Sequence, residues 1–313
     1  MNEFLEPFER MIADLSPPAT VRAIEAGESA DALWNGIAGS GFLDALVPED
    51  RGGAGLPLAE VCALWQALGR HAVPLPVGET MIARALLPDA PEGPIALATV
   101  GAAGETIVPF GRVARDILLE TPRGLHRITA DGEPIGAFGS TALRVRADPG
   151  DATVPAPAGG LRAIAAILRA ALIAGAADRL TAMTAVYANE RIQFGKPIGK
   201  QQALQQQMAV MAEDMVACRI ASQIGCAGGL PPGLAAAATA KSIASSAAAR
   251  LAATAHAVHG AIGISEEFDL QLYTRRLHEW RLADGSETYW NRLLGAARLA
   301  DDGGSVDYVR AAV

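Results

Sequence analysis

Residues 187–205 read YANERIQFGKPIGKQQALQ and connect two long segments with helical periodicity. Before this connection, apolar residues recur at helical spacing, at Ile164, Ile167, Leu168, Ala171 and Leu172. After it, a second apolar stripe follows the same rule, at Leu204, Met208, Met211, Met215 and Cys218. Such spacing places each stripe on one face of an α-helix, and that face has to be buried. The sequence therefore predicts two long helices joined by a turn that contains residues 191–199.

The rest of the C-terminal half continues this helical pattern. Leu234–Val258 consists mostly of Ala and Ser, whose small side chains let neighbouring helices approach closely. A last helix is expected to begin near Ser286, because Ser is a common helix N-cap. Four long helices with short connections predict an antiparallel four-helix bundle over residues 156–313.

The N-terminal part is predicted to be a helical domain, and the middle part a small β domain. The run Leu58–Gly69 has helical spacing and ends in a glycine, which is predicted to be the C-cap of that helix. From Pro94 to about Asp148 the pattern changes to short β-prone segments bounded by Gly, Pro and Asp. These segments are residues 105–110, 116–120 and 143–146. A linker follows at 154–160. The prediction is a mainly α, multidomain chain divided into residues 1–92, 93–155 and 156–313.

Composition and charge exclude several classes of function. The chain has 313 residues, of which 50% are hydrophobic, and a net charge of −8, so binding to nucleic acid is not expected. Three cysteines without a C-x-x-C pair fit neither a disulfide framework nor a zinc site, so no metal is predicted and the cysteines are expected to be buried. Residues 1–7 lack the features of a signal peptide, and no membrane span is seen. A cytoplasmic protein is the expectation.

The turn between the first two bundle helices carries side chains that suit a nucleotide diphosphate. Arg191 offers a charge-assisted donor, Gln193 an amide and Phe194 a stacking face. The alternative is a helix end closed by Gly and Pro, with an arginine that is merely solvated.

The same turn resembles the R-x-x-F-G-x-x-x-x-x-x-Q-A-x-Q block of acyl-CoA dehydrogenases. That resemblance implies an FAD cofactor, which this turn reaches in a neighbouring subunit. It further implies that Arg191 meets the pyrophosphate. Four other residues would surround the adenosine half: Gln193, Phe194, Ile198 and Gln201.

Two further blocks resemble the same family. Residues 257–263 are similar to its Q-x-H-G-G-x-G pattern, which implies that Gly260 and Gly263 approach the flavin. Ala257 and Ala261 depart from the pattern, and the two glycines have an alternative role as helix terminators. His256 and His259 are interpreted as packing or hydrogen-bonding residues. Residues 41–55 are similar to the G-x-x-x-x-x-x-P-E-x-x-G-G-x-G loop that borders the acyl-CoA channel in the family.

The resemblance also indicates a candidate catalytic base. Residues 281–287, RLADGSE, resemble the Y-E-G-T segment of the family, and Asp284 stands at the position of its catalytic Glu. Ser286 stands at the Thr position and is a candidate flavin contact. Glu287 is the next candidate base. The alternative is that Asp284 and Ser286 simply cap the last helix.

The middle β domain is about half as long as in the family. Shortened chains of this kind resemble subunits of hetero-oligomeric acyl-CoA dehydrogenases, including those that act on steroid side-chain CoA thioesters. We therefore predict an acyl-CoA dehydrogenase or a subunit of one, with an acyl-CoA substrate and electrons passed to an electron-transfer flavoprotein. The expected assembly is a hetero-oligomer, with a homo-oligomer as the alternative. Two other functions stay open: a non-catalytic subunit that completes a partner's FAD site, and a flavin monooxygenase of the same fold.

Overall fold

In the described residues of the N-terminal third, five helices surround an apolar core that includes Phe8, Ile12 and Trp65. A computed structural model describes residues 3–101, 104–147 and 152–312. The five helices are α1 (Leu5–Leu15), α2 (Pro18–Glu25), α3 (Asp31–Ala38), α4 (Leu58–Arg70) and α5 (Val77–Leu86). Pro18 lies in the first turn of α2, where its missing N–H costs no hydrogen bond.

Two small sheets follow. They are built from β1 (Ile95–Thr99), β2 (Glu105–Val108), β3 (Asp116–Thr121), β4 (Gly124–Thr129), β5 (Glu133–Pro134) and β6 (Leu143–Arg146). The first sheet has the order β1-β3-β4, with β1 parallel to β3 and Ile95 opposite Asp116. The second has the order β2-β6-β5 and is antiparallel. The three predicted β segments are confirmed as β2, β3 and β6, whereas Asp148, the predicted end of this region, lies outside the described residues.

The C-terminal half is a helical bundle. It contains α6 (Leu161–Glu190), β7 (Ile192–Gln193), β8 (Lys196–Pro197), α7 (Gln202–Cys226), α8 (Leu234–His259), α9 (Leu270–Leu282), α10 (Glu287–Ala300) and α11 (Ser305–Ala312). The long helices α6, α7 and α8 pack against one another, and α9 and α10 both pack on α8. The predicted C-terminal helical bundle is confirmed, and in its described residues, 152–312, it comprises six helices, two more than the four predicted.

Helix α9 is the main element that the sequence prediction missed. Its buried residues recur at helical spacing, at Leu270, Tyr273, Leu277 and Trp280. Charged residues between them, such as Arg275 and Glu279, lower its mean hydropathy and mask the stripe.

Two glycines bring α4 and α6 into direct backbone contact. A Cβ on Gly69 would lie 2.0 Å from the carbonyl oxygen of Leu172, and a Cβ on Gly175 would lie 1.8 Å from that of Gln66. Both distances are far shorter than a van der Waals contact, so neither position accepts a side chain. The prediction that Gly69 is a helix C-cap is therefore wrong: α4 continues to Arg70, and Gly69 is needed for helix–helix contact.

All three cysteines are buried and free, as predicted. Within the described ranges, no helix combines the length and the apolar character that crossing a bilayer requires.

Candidate functional site

A short hairpin projects from the end of α6. Strands β7 and β8 pair antiparallel, with Gln193 opposite Lys196, and Phe194 and Gly195 form the two-residue turn between them. Both turn residues have positive φ, +52° and +76° respectively, which is the pattern of a type I′ hairpin turn. Positive φ is uncommon for an aromatic residue. The turn leaves the Phe194 side chain 92% exposed.

The base of the hairpin is anchored by packing. Ile198 is buried in a small apolar cluster with Ala188 and Val258, and its N–H donates to the carbonyl oxygen of Arg191 at 2.8 Å. Of the predicted adenosine contacts, Gln193 and Phe194 are exposed and Gln201 is half-buried, whereas the side chain of Ile198 lies inside the chain. Arg191, the predicted pyrophosphate contact, is exposed.

The glycine block after α8 lies against this base. The ring of His259 stacks on Tyr187 with centroids 4.4 Å apart, next to Val258 of the same cluster. His259 Nδ1 is 2.8 Å from the carbonyl oxygen of Ala255. Because a carbonyl only accepts, Nδ1 carries the proton. The two blocks that are predicted to contact the flavin therefore lie side by side. His259 packs on Tyr187 at their contact, as expected for a packing residue.

The two glycines of this block have different local roles. Gly260 has φ +62° and directly follows α8, which agrees with the predicted helix-terminating geometry. Gly263 is buried, and a Cβ there would approach the side chains of Leu270 and His259 to within 3.0 Å. Tight packing against α9 is therefore a second reason for glycine at this position.

The turn between α9 and α10 holds the candidate base in an unusual conformation. Asp284 has φ +57°, in the left-handed region, and its carbonyl oxygen accepts from Trp290 Nε1 at 3.1 Å. Ser286 precedes the first residue of α10 but makes no side-chain capping bond. Glu287, the second candidate, accepts from Arg281, and this hydrogen bond lowers the pKa of Glu287.

The carboxylate of Asp284 belongs to a buried ion cluster. Arg169 Nε donates to Asp284 Oδ2 at 2.9 Å, and the other side of the same guanidinium pairs with Glu79. The three side chains are 8%, 0% and 1% exposed for Asp284, Arg169 and Glu79. Burial raises the pKa of Glu79, and the positive charge of Arg169 opposes that rise. The cluster joins α5, α6 and the α9–α10 turn.

Sequence reasoning missed Arg169 and Glu79. One signal was available, because Arg169 is the only charged residue between Ala163 and Ala177 in an otherwise apolar run. A buried charge of this kind needs a partner. Nothing local in the sequence indicates which residue that partner is.

A cavity of about 520 Å³ lies beside Asp284, between the middle β region and α9. Its wall is largely apolar and includes Ile107, Phe138 and Leu282, with Ala283 and Asp284 at the turn. Glu279 also lines it and accepts from Ser140 Oγ at 3.2 Å. The arrangement places an apolar space next to a carboxylate. A larger groove of about 960 Å³ lies elsewhere, along α1 and α6, and none of the predicted site residues lines it.

The hairpin and the candidate base lie far apart. Arg191 follows Arg169 by 22 positions, and all but the last of these lie in the continuous helix α6. At 1.5 Å per residue this is about 33 Å along the helix axis. Since Arg169 contacts Asp284, the two groups of predicted site residues lie towards opposite ends of α6.

Comparisons with known proteins agree with this architecture. Residues 163–300 match the family described as acyl-CoA dehydrogenase, C-terminal domain. The chain is similar to the acyl-CoA dehydrogenase IpdE2 of Mycobacterium tuberculosis, with 34% identity over 287 residues that cover 87% of this chain and 89% of the relative.

Solved structures show the same fold at lower identity. The ChsE4-ChsE5 complex from Mycobacterium tuberculosis matches with a TM-score of 0.80 and 22% identity, over 96% of this chain and 97% of that one. PigA with FAD and proline matches with a TM-score of 0.77 and 18% identity, over 96% and 97%. The mainly α architecture with a small sheet region is thus confirmed, and the length and identity of the IpdE2 match show that the chain belongs to the acyl-CoA dehydrogenase family.

Proposed function

We propose that this chain is one of two unlike subunits of an FAD-dependent acyl-CoA dehydrogenase, and that its hairpin contacts a flavin held across the subunit interface. The separation of about 33 Å along α6 between the hairpin and the Asp284 cluster carries this proposal. A hairpin that distant from its own chain's cavity is better placed to serve a flavin whose reactive end lies in another chain.

The exposed hairpin fits the diphosphate and adenine of FAD. Arg191 is exposed, so its guanidinium is accessible to a pyrophosphate. The Phe194 ring offers an open stacking face beside it. When bound, FAD supplies the hydride acceptor of the reaction. The hairpin's own part is to bind and orient the nucleotide half.

An unlike partner is supported by the reduced middle region and by one comparison. The two sheets of this region have only three strands each in the described residues. Among the structures with the same fold, the ChsE4-ChsE5 complex consists of two different chains. A partner would complete the support of the flavin ring, and an electron-transfer flavoprotein would accept the electrons. Purification of a fully flavinylated, active homo-oligomer would contradict this part of the proposal.

Phe194→Ala and Arg191→Met are each expected to weaken FAD binding to the complex by roughly tenfold or more. Loss of one aromatic stacking contact costs about 1–3 kcal/mol, and loss of one hydrogen bond to a charged group costs a similar amount. The measurement is fluorescence titration of FAD with the co-purified subunits. Arg10→Met, at another exposed arginine, is the control and should bind FAD like the wild type. If both hairpin variants bind FAD with unchanged affinity, the proposal that the hairpin contacts the flavin is contradicted.

A second candidate function is that this chain also supplies the base that removes the α-proton of the thioester. The position of Asp284 on the wall of the apolar cavity favours it. Its ion pair with Arg169 favours the alternative, because that contact gives the buried carboxylate a structural role that needs no reaction. If Asp284 does not act, the chain is a non-catalytic subunit that completes the partner's flavin site.

Asp284→Asn is expected to abolish flavin reduction by acyl-CoA while FAD stays bound, because an amide cannot accept the α-proton. Anaerobic absorption spectroscopy of the complex measures both quantities. Glu279→Gln is the matched control, since it neutralises another carboxylate on the same cavity wall. If the flavin is fully reduced in Asp284→Asn, Asp284 is not the base, and the non-catalytic role of this chain is favoured.

A further inference from the structure

Lys241 is a buried lysine that reaches from α8 to the turn carrying Asp284. Its side chain is fully buried, although lysine is seldom found in that position without a partner. Nζ lies within hydrogen-bond distance of four oxygens. These are Ser245 Oγ at 2.8 Å and the carbonyl oxygens of Trp280, Arg281 and Gly285 at 2.9 Å each.

Three of these acceptors are main-chain carbonyls on both sides of Asp284. Trp280 and Arg281 belong to the last turn of α9, where carbonyls have no partner within the helix. Gly285 follows Asp284 directly. One ammonium group on a neighbouring helix therefore holds the end of α9 and the residue after the candidate base at the same time.

The conformation of Asp284 needs such support. A non-glycine residue in the left-handed region is strained, and the surrounding structure has to maintain it. On the other side of the turn, Trp290 Nε1 donates to the Asp284 carbonyl oxygen. Lys241 and Trp290 together fix the main chain, while Arg169 fixes the carboxylate.

We propose that Lys241 is a positioning residue, which holds the α9–α10 turn so that the carboxylate of Asp284 stays at the cavity and in contact with Arg169. Lys241 does not itself line the cavity among the described residues. The inference rests on the proposed function in one respect only: it takes the cavity beside Asp284 as the place of the reaction.

The charge state of Lys241 bears directly on this role. Burial lowers the pKa of Lys241 to about 7. Four charged groups modify that effect: Asp284 and Glu287 raise the pKa, whereas Arg169 on α6 and Arg281 on α9 lower it. The charged pair between α7 and α8, Asp214 with Arg250, lies more than two helical turns further along α8.

The protonated and neutral forms hold the turn differently. An ammonium has three N–H donors for the four acceptors, whereas the neutral amine has two. As pH rises through about 7, the lysine loses one donor and the turn loses one hydrogen bond. The hold on the turn is therefore expected to be strongest below that pH.

Nuclear magnetic resonance of the tryptophan indole groups tests the proposal in the isolated, nitrogen-15-labelled chain. The Trp290 indole N–H reports on the turn because it donates to Asp284. In the wild type its resonance should shift with pH with a midpoint near 7, and in Lys241→Met it should be displaced and show no such titration. The resonances of Trp34 and Trp65, in the N-terminal helices, should not change. A Trp290 resonance that is the same in both proteins at every pH would overturn the proposal.

Ser245→Ala is the matched variant. It removes the hydroxyl acceptor of Lys241 but leaves the three carbonyl contacts, so the Trp290 resonance and its titration should persist. If Lys241→Met does not fold, Lys241→Gln takes its place: it also removes the ammonium that contacts the three carbonyl oxygens, and a Trp290 resonance identical to that of the wild type would count against the proposal.

Flavin reduction in the complex with the partner subunit provides a second measurement. The probes are butyryl-CoA, octanoyl-CoA and palmitoyl-CoA. Lys241→Met should slow reduction on the order of 100-fold, as misplacement of a reacting group by about 1 Å does, with little change in the Kd of the acyl-CoA. If the flavin of the wild-type complex is not reduced by these thioesters, the result counts against a catalytic role for this chain. The Trp290 indole resonance then still tests whether Lys241 positions the turn. Reduction at the wild-type rate in Lys241→Met, together with an unchanged Trp290 resonance, would contradict the positioning role.

Discussion

Arg169→Met is expected to lower the free energy of unfolding by about 3–5 kcal/mol, the usual cost of breaking a buried ion pair by removing one partner. The substitution removes the guanidinium that contacts both Glu79 and Asp284, and it leaves two carboxylates with little access to water. The methionine fills most of the volume of the arginine stem, so the loss is electrostatic rather than a cavity effect. Denaturant unfolding monitored by circular dichroism at neutral pH provides the measurement.

The control for this experiment is an exposed pair. Arg10 and Glu6 form an ion pair on α1 with side chains that are 71% and 82% exposed. Arg10→Met should change stability by no more than about 0.5 kcal/mol, because exposed pairs are screened and mobile. A loss below about 1 kcal/mol in Arg169→Met would mean that water reaches the cluster and that the carboxylates do not depend on Arg169.

Gly175→Ala is expected to destabilise the protein by about 3 kcal/mol or more, or to prevent folding, because it overpacks a backbone contact. The new Cβ would lie 1.8 Å from the carbonyl oxygen of Gln66, so α4 and α6 would have to move apart. That movement would open the joint between the N-terminal helices and the bundle. Thermal unfolding and the yield of folded protein are the measurements.

Gly295→Ala is the matched control, because it is the same chemical change at another helical glycine. Gly295 is exposed on α10, and a Cβ there would meet nothing within 4 Å. Alanine should stabilise this helix by about 0.5–1 kcal/mol, since it loses less conformational entropy than glycine. The two substitutions are thus expected to change the free energy of unfolding in opposite directions. Equal effects would show that backbone contact is not the role of Gly175.

Elements with a local signature are predicted well from the sequence. The strands β2, β3 and β6 lie within two residues of the predicted segments, because Gly, Pro and Asp bound each apolar run. The turn after α6 is exposed as expected from its Gly and Pro. The helical stripes before and after it also lie in α6 and α7.

Features that depend on distant contacts are predicted poorly. Gly69 looks like a helix end because a local pattern cannot show that α6 crosses it at backbone distance. The ion pairs of Arg169 join residues that are 90 and 115 positions apart, and nothing local in the sequence indicates which residues these partners are. The roles assigned to Arg191, Phe194 and Asp284 came from the family resemblance, and they stay predictions until a ligand is measured.

The type I′ turn has a consequence for how the hairpin recognises its ligand. Phe194 and Gly195 are already in the geometry that presents the ring, and the pairing of β7 with β8 restrains both strands. A preorganised loop loses little conformational entropy when it binds. Replacement of the turn with a flexible Gly-rich segment of equal length would therefore weaken binding mainly through the entropy term. Calorimetry of FAD binding to such a variant would show a less favourable binding entropy at a similar binding enthalpy, even though Arg191 is unchanged.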